Sequence, residues 1–362
     1  MDSKGWASIM ATRKSVTQAR VGARHSRVAI RDIAALAGVS VATVSRVLNG
    51  RPDVSPATRE RVLRHIHELG YVSNRNARAL ASGRTGLIGL IVPHVGGHFF
   101  AEIVAGAAEA LYECDARLVV CPTRHEHERE LSLLERLMHG TTDGALLVLP
   151  SESPDELERL HQQGYPFVVI DPALPVNDGI PVVAAANWAG ARMATEHLIA
   201  LGHERIGVIT GPPTWCASVD RLAGYHSALL AARCPIRPEL VCTGDFTIAG
   251  GHRAAHHLLA LPDAPTAIFA LDDDMAIGVL RAARERGVQV PRDLSVVGFD
   301  DVEPALIASP TLTTVRQPLQ EMGRVGAALL YRLLDGQPLD ATRVELSTRL
   351  VVRESTAPPP SR

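Results

Sequence analysis

From Gly86 onward the chain repeats one pattern: a short apolar run, then a longer stretch in which apolar residues recur at helical spacing. The runs include Gly86–Pro93, Leu118–Cys121, Ala145–Leu149, Phe167–Ile170, Ile206–Ile209, Ala267–Ala270 and Ser295–Phe299. Helical stretches such as Phe100–Tyr112, Glu126–Met138, Ala189–Leu201 and Arg221–Ala232 separate them. The runs do not alternate apolar and polar residues, so both faces of each strand must be covered. That is the mark of parallel sheets flanked by helices. About ten such strands are too many for one small sheet, so two Rossmann-like halves side by side are expected.

The first 85 residues differ in charge as well as in pattern. They hold 15 of the 37 Lys and Arg but only 5 of the 39 Asp and Glu, a net of +10, which leaves −12 for the other 277 residues. A basic head on an acidic body suggests that the head alone meets a polyanion. Residues 1–27 lack hydrophobic periodicity and read as a disordered basic tail.

Within the head, Ile30, Ile33, Ala34 and Ala37 fall on one helical face, and Gly38 suits a left-handed helix stop. Ser40 then caps a second helix from Val41 to Leu48, and Asn49-Gly50 signals a turn. Two short helices joined through a glycine match the helix-turn-helix, whose second helix enters a DNA major groove. Val44, Val47 and Leu48 would face inward, leaving Val41, Ala42, Ser45 and Arg46 near the groove. A third helix starts at Ser55-Pro56, carries Val62, Ile66 and Leu69, and closes at Gly70. The segment from Ser73 to Gly83 is short, with Leu80 as its one large apolar residue. It reads either as a plain linker or as a helix that folds only against a partner and wedges Leu80 into a minor groove.

The segments IRDIAALAGVSVATVSRVLNG and NRNARALASGRTGLIGLIVP resemble the lactose/galactose/purine repressor family of bacterial transcription regulators, and the resemblance continues to Glu354. It implies that Ser40–Asn49 is the recognition helix, with Val41, Ala42 and Arg46 reading bases. It also implies that Leu80 is the hinge leucine of a palindromic operator complex centred on a CG step. Ser40, Thr43, Ser45 and Asn49, with Asn76 and Arg78, complete the candidate DNA contacts. The same resemblance, shared with periplasmic sugar-binding proteins, implies three passages of the chain between the body's halves, near 185, 317 and 344. The expected organisation is a helix-turn-helix domain at 28–72 and a hinge at 73–85. The body's halves follow at 86–185 with 318–343 and at 186–317 with 344–354, before a disordered tail at 355–362.

In such sheets ligands bind beyond the carboxyl ends of the strands. Asp171, Asp272, Asp273 and Asp300 follow predicted strands, Phe246 follows Gly244-Asp245, and Arg221 opens the helix after Gly211-Pro212-Pro213. Phe99 and Phe100 begin the first body helix, and one of them is expected in the cleft. Carboxylates and a guanidinium fork grip vicinal hydroxyls, while aromatic rings pack on the C–H face of a sugar. Asp171 also reads as a turn aspartate before Pro172, and Asp273 as a helix cap outside the site. Resemblance places Arg221, Asp300, Asp272, Phe246, Asp171 and also Gln317 where the family holds its effector. Where purine-binding members carry an arginine and a threonine, this chain has Trp215 and Ala217, which favours a sugar over a nucleobase. The usual Asp-Asn pair is Ala186-Asn187 here.

Enzyme signals are weak. His125-Glu126-His127-Glu128-Arg129 fails the H-E-x-x-H zinc pattern and reads as the polar face of a solvated helix. No nucleophile elbow, dinucleotide fingerprint or P-loop occurs, and none of the 15 histidines shows a spaced partner set. No catalytic residue, cofactor or metal site is expected. Five cysteines without a C-x-x-C pair fit a reducing compartment. With no apolar run of spanning length and no secretory signal, the expected place is the cytoplasm. The C-terminal Ala-Pro-Pro-Pro-Ser-Arg lacks leucine heptads, so a homodimer is expected rather than a tetramer.

Overall fold

The computed structural model describes residues 28–48, 51–69 and 84–360. Contacts divide the chain into two units, one ending at Arg84 and the other beginning at Thr85.

The first unit holds three helices, α1 (Ile30–Ala37), α2 (Val41–Leu48) and α3 (Pro56–Glu68). Asp32 Oδ2 accepts from the Ala29 N–H at 2.8 Å, satisfying a donor just before α1. Gly38 takes the left-handed conformation (φ 63°) that lets the chain turn without a Cβ penalty. Ser40 Oγ caps α2 by accepting from the Thr43 N–H at 3.1 Å, and Ser55 caps α3 through the Thr58 N–H. Ile33, Val44, Val47 and Val62 form the centre of a small core, with Leu48, Ile66 and Leu69 packed around it.

The second unit contains two six-stranded sheets. The first comprises β1 (Leu87–Val92), β2 (Arg117–Pro122), β3 (Gly144–Val148), β4 (Phe167–Ile170), β5 (Val182–Ala185) and β11 (Arg343–Leu346). Their order is β11-β5-β4-β3-β1-β2, all parallel. The second comprises β6 (Ile206–Thr210), β7 (Val241–Thr243), β8 (Ala267–Ala270), β9 (Ser295–Asp300), β10 (Thr313–Arg316) and β12 (Arg349–Val351), ordered β12-β10-β9-β8-β6-β7. Here only β12 runs antiparallel, against β10. Strands such as β3 and β4 are buried throughout because helices cover both faces. Helix α4 (His98–Glu113) packs with α12 (Leu319–Leu334) in the first half. In the second, α7 (Asn187–Ala200) packs with α8 (Cys216–Ala231), and α9 (Ile248–Leu258) with α10 (Asp273–Glu285). Between them in sequence lie α5 (His127–Arg136), α6 (Pro154–Gln162) and α11 (Glu303–Ile307).

Two sequence expectations need correction. The third passage between halves falls at Ser347-Thr348 rather than near 344, because β11 is an edge strand of the first sheet, registered on β5 from Arg343↔Val182 to Leu346↔Ala185. Nor does order stop at Glu354. Ser355 is fully buried, accepts from the Thr313 N–H at 2.8 Å and donates to the Val296 carbonyl at 2.6 Å. The Ala357 carbonyl accepts from Ser295 Oγ at 2.9 Å, so residues 355–357 belong to the second half.

Candidate functional site

The carboxyl ends of both sheets face one cavity of about 620 Å³. The first half brings His94, Gly96 and Gly97 from the β1–α4 loop, His98–Phe100 from the first turn of α4, His125 after β2, Leu149 after β3 and Asp171 after β4. The second brings Trp215, Ala217 and Arg221 from the start of α8, Asp245–Thr247 from the β7–α9 turn with Ile248 and Ala249 opening α9, Asp272 and Asp274 around the start of α10, Asp300 at the end of β9 and Val302 after it. Five of these residues hold a left-handed φ without being glycine: His125, Leu149, Asp171, Phe246 and Asp300. Such backbone is costly and gathers where side chains must be aimed.

Arg221 is the centre of the polar floor and is 3% exposed. Its Nε donates to Asn187 Oδ1 at 2.7 Å, and Nη1 donates to the Leu271 carbonyl and lies 3.8 Å from Asp300 Oδ1. Its guanidinium stands 3.8 Å from the centroid of the Phe299 ring, a cation–π contact that no sequence signal indicated. Arg221 faces several carboxyls, and burial dominates their chemistry. It pushes Asp171 up, Asp272 well up, and Asp300 up to about 7, with Arg221 pulling each part of the way back. The floor therefore sets one guanidinium among carboxyls whose charged forms burial disfavours.

Above it runs a row of rings. Trp215 lies 5.6 Å from Phe246 at 31° and 6.0 Å from His125 at 40°, while His125 meets His94 edge-on at 5.1 Å. Phe246 sits where Gly211 has no side chain: a Cβ there would lie 2.1 Å from the ring. The His125–Trp215 contact spans the two halves. So does His98 Nδ1, 3.4 Å from Glu303 Oε2, and so does the Cys216 N–H, which donates to the Ala173 carbonyl at 2.8 Å.

Of the expected effector residues, Phe99, Phe100, Asp171, Trp215, Arg221, Phe246, Asp272 and Asp300 line the cavity, and both phenylalanines do so rather than one. Gln317 does not: its Nε2 donates to Asp300 Oδ1 at 2.6 Å, placing it behind that carboxylate as a support. The cap role expected of Asp273 belongs to Asp272, whose Oδ1 accepts from the Met275 N–H at 2.8 Å. Asp273 is fully buried and accepts instead from Thr314 Oγ1 at 2.6 Å and the Val302 N–H at 3.0 Å. His125 is no part of a solvated helix face, because its loop ends before α5 begins and turns the ring into the cavity.

On the recognition helix the expected division holds for the described residues. Val44 and Val47 are buried, Leu48 is half-buried, and Val41, Ala42 and Arg46 are exposed; Arg46 stands 3.5 Å from Asp53. Ser45 is half-buried, and Thr43 is tied to Ser40 by their hydroxyls at 2.9 Å. Asn49, Asn76, Arg78 and Leu80 lie outside the described residues.

Comparison with known proteins agrees with this two-part design. Residues 29–74 match the model for bacterial regulatory proteins of the lacI family, and residues 195–356 match a periplasmic binding protein-like domain. The chain is 42% identical over 340 residues to the HTH-type transcriptional regulator CelR of Thermobifida fusca, covering 92% of this chain and 99% of that one. It is 34% identical to catabolite control protein A of Priestia megaterium, over 91% and 99% of the two chains. Among solved structures, a CelR–cellobiose complex matches at 40% identity and TM-score 0.70, covering 91% and 100%. The lac repressor dimer bound to operator and the anti-inducer ONPF matches at 31% and 0.81, covering 92% and 100%. This chain belongs to the lacI family of DNA-binding transcription regulators; it is a regulator and not an enzyme. Among the described residues no helix is long and apolar enough to cross a membrane.

Proposed function

We propose that the protein is a cytoplasmic repressor that binds a palindromic operator as a homodimer and releases it when a sugar of about disaccharide size fills the body cavity. The observation that carries this reading is Trp215, flanked by the His125 and Phe246 rings over a floor of Arg221, Asp272 and Asp300. Rings on one side and paired donors and acceptors on the other suit a flat, uncharged polyol. The volume fits an oligosaccharide, and the similar CelR structure is a cellobiose complex, which makes a β-linked glucose disaccharide the first ligand to try. Arg221, Asp171, Asp272 and Asp300 would hold hydroxyls, and Phe99, Phe100, Trp215 and Phe246 would hold ring faces. Gln317 would fix Asp300.

In the head, Arg46 would read a guanine edge, Val41 and Ala42 would make apolar contacts with bases, and Ser40, Thr43, Ser45 and Asn49 would position the helix. Asn76, Arg78 and the Leu80 wedge would complete the kinked centre. Sugar binding closes the body's halves and separates the hinge segments of the dimer, so operator and sugar weaken each other reciprocally.

A thermal-shift screen of the full chain against mono- and oligosaccharides, with purine bases as the contrasting set, tests the effector. At 100 times its dissociation constant a ligand stabilises by about 2.7 kcal/mol. A sugar that shifts melting and also releases a palindrome selected from random duplexes supports the reading. A shift by purines alone overturns it.

A further inference from the structure

We propose that the second half of the body carries a binding site for a divalent transition-metal ion of the zinc class, formed by His252, His256 and Glu285. Sequence spacing alone did not single these residues out, because the third ligand lies on another helix. His252 and His256 are one turn apart on α9, and Glu285 ends α10. The two helices touch so closely that a Cβ on Gly251 would lie 2.2 Å from the Met275 carbonyl oxygen, and one on Gly278 2.3 Å from that of Ile248. That approach carries Glu285 to the two imidazoles.

Three atoms converge there. Glu285 Oε2 lies 2.8 Å from His252 Nε2 and 3.1 Å from His256 Nε2, and the two nitrogens are 3.3 Å apart. Tetrahedral zinc with bonds of about 2.0–2.1 Å has ligand-to-ligand edges of about 3.3–3.4 Å. The donors therefore need move only a few tenths of an ångström to enclose an ion. Two imidazoles and one carboxylate are the donor set such ions prefer, and the exposure of Glu285 leaves a fourth position for water. Arg281 Nε donates to the other oxygen, Oε1, at 3.0 Å and so holds the carboxylate with Oε2 turned to the histidines.

One neighbour opposes the ion. Arg286 Nε donates to His256 Nδ1 at 3.0 Å, and its guanidinium also reaches the His256 carbonyl at 3.0 Å. A guanidinium only donates, so Nδ1 is bare and a neutral His256 carries its proton on Nε2. An ion on Nε2 moves that proton to Nδ1, where it would face the arginine. Arg286 must then swing away, and its removal should favour metal. The site is separate from the cavity, yet the first turns of α9 and α10 reach the cavity through Ile248, Ala249 and Asp274.

The test is zinc chloride titrated into chelator-stripped full-length protein against a chromogenic competitor, with melting temperature read in parallel. The parent should bind zinc at a site that weakens at least tenfold in His252→Ala and in His256→Ala and less in Glu285→Gln, and that tightens severalfold in Arg286→Ala. Zinc should raise the melting temperature of the parent and not that of His252→Ala. Circular dichroism and operator binding verify that each variant is folded. Zinc affinity and melting response unchanged in folded His252→Ala would show that the ion binds elsewhere and overturn the proposal. So would failure of both the parent and Arg286→Ala to bind, which would leave the cluster an ion-pair network only.

Discussion

The two halves of the body share one frame and divide the chemistry unequally. Chain order within each is the same, β5-β4-β3-β1-β2 against β10-β9-β8-β6-β7, with one late strand added at the edge. At matching strand ends the first half places rings and a single acid, Asp171. The second places Arg221, the acids Asp245, Asp272, Asp274 and Asp300, and the Trp215 and Phe246 rings. Topology decides where a side chain can meet a ligand, and residue type decides which half grips it. Buried carboxyls also differ in use within the body. Glu130 and Glu152 in the first, each 1% exposed, lie apart from the cavity, whereas Asp272 and Asp300 open into it.

The strongest way to break this comparison is Arg221→Ala. Removing this buried cation strands Asp300 and Asn187, so it should destabilise by about 3–5 kcal/mol and weaken sugar binding at least a hundredfold by calorimetry. A milder loss would mean that the first half carries more of the grip. Trp215→Ala should cost about 2 kcal/mol of sugar affinity, roughly thirtyfold, with melting nearly unchanged. A purine that binds the variant better than a sugar binds the parent would reverse the ligand assignment.

The last two predictions sharpen the contrast through pH. Burial raises Asp300 to about 7, so the folded protein keeps a proton that the unfolded chain releases near pH 4. Stability from this group is present below that range and is lost as pH rises toward 7. Asp300→Asn should therefore melt several degrees higher than the parent at pH 8 and equally at pH 4, while sugar affinity falls. Glu152 shows the same sign over a wider window: burial, then the neighbouring Glu130, push it up to about 9. Glu152→Gln should flatten the fall in stability between about pH 4.5 and 9 and leave sugar affinity unchanged. A change in sugar affinity there would show that the first half's buried acids communicate with the cavity.

Much of this is legible in the sequence. Buried strands announced themselves as unbroken apolar runs, and the first polar or aromatic residue after several of them proved to face the cavity. The same rule points to His94, after Val92-Pro93, and to His125, beyond Pro122, although the sequence reading placed His125 on a helix face and did not single out His94. Edge strands were harder. Arg343–Leu346 is half-exposed and polar at alternate positions, so it looks like loop until its partner is known. Cap register was off by one at Asp272-Asp273, because backbone angles, not residue type, choose between adjacent aspartates. Gln317 and Phe299 act through Asp300 and Arg221, and such support depends on tertiary neighbours that no local spacing reveals.

The three passages between halves, at 186, 317 and 347–348, have a consequence during synthesis. Neither sheet is contiguous in the chain: the first waits for Arg343–Leu346 and the second for Arg349–Val351. The helix-turn-helix core, by contrast, is complete once Leu69 has left the ribosome. Domains fold in the order in which they emerge, so a nascent chain completes its helix-turn-helix core some 280 residues before it acquires the cavity that would govern it.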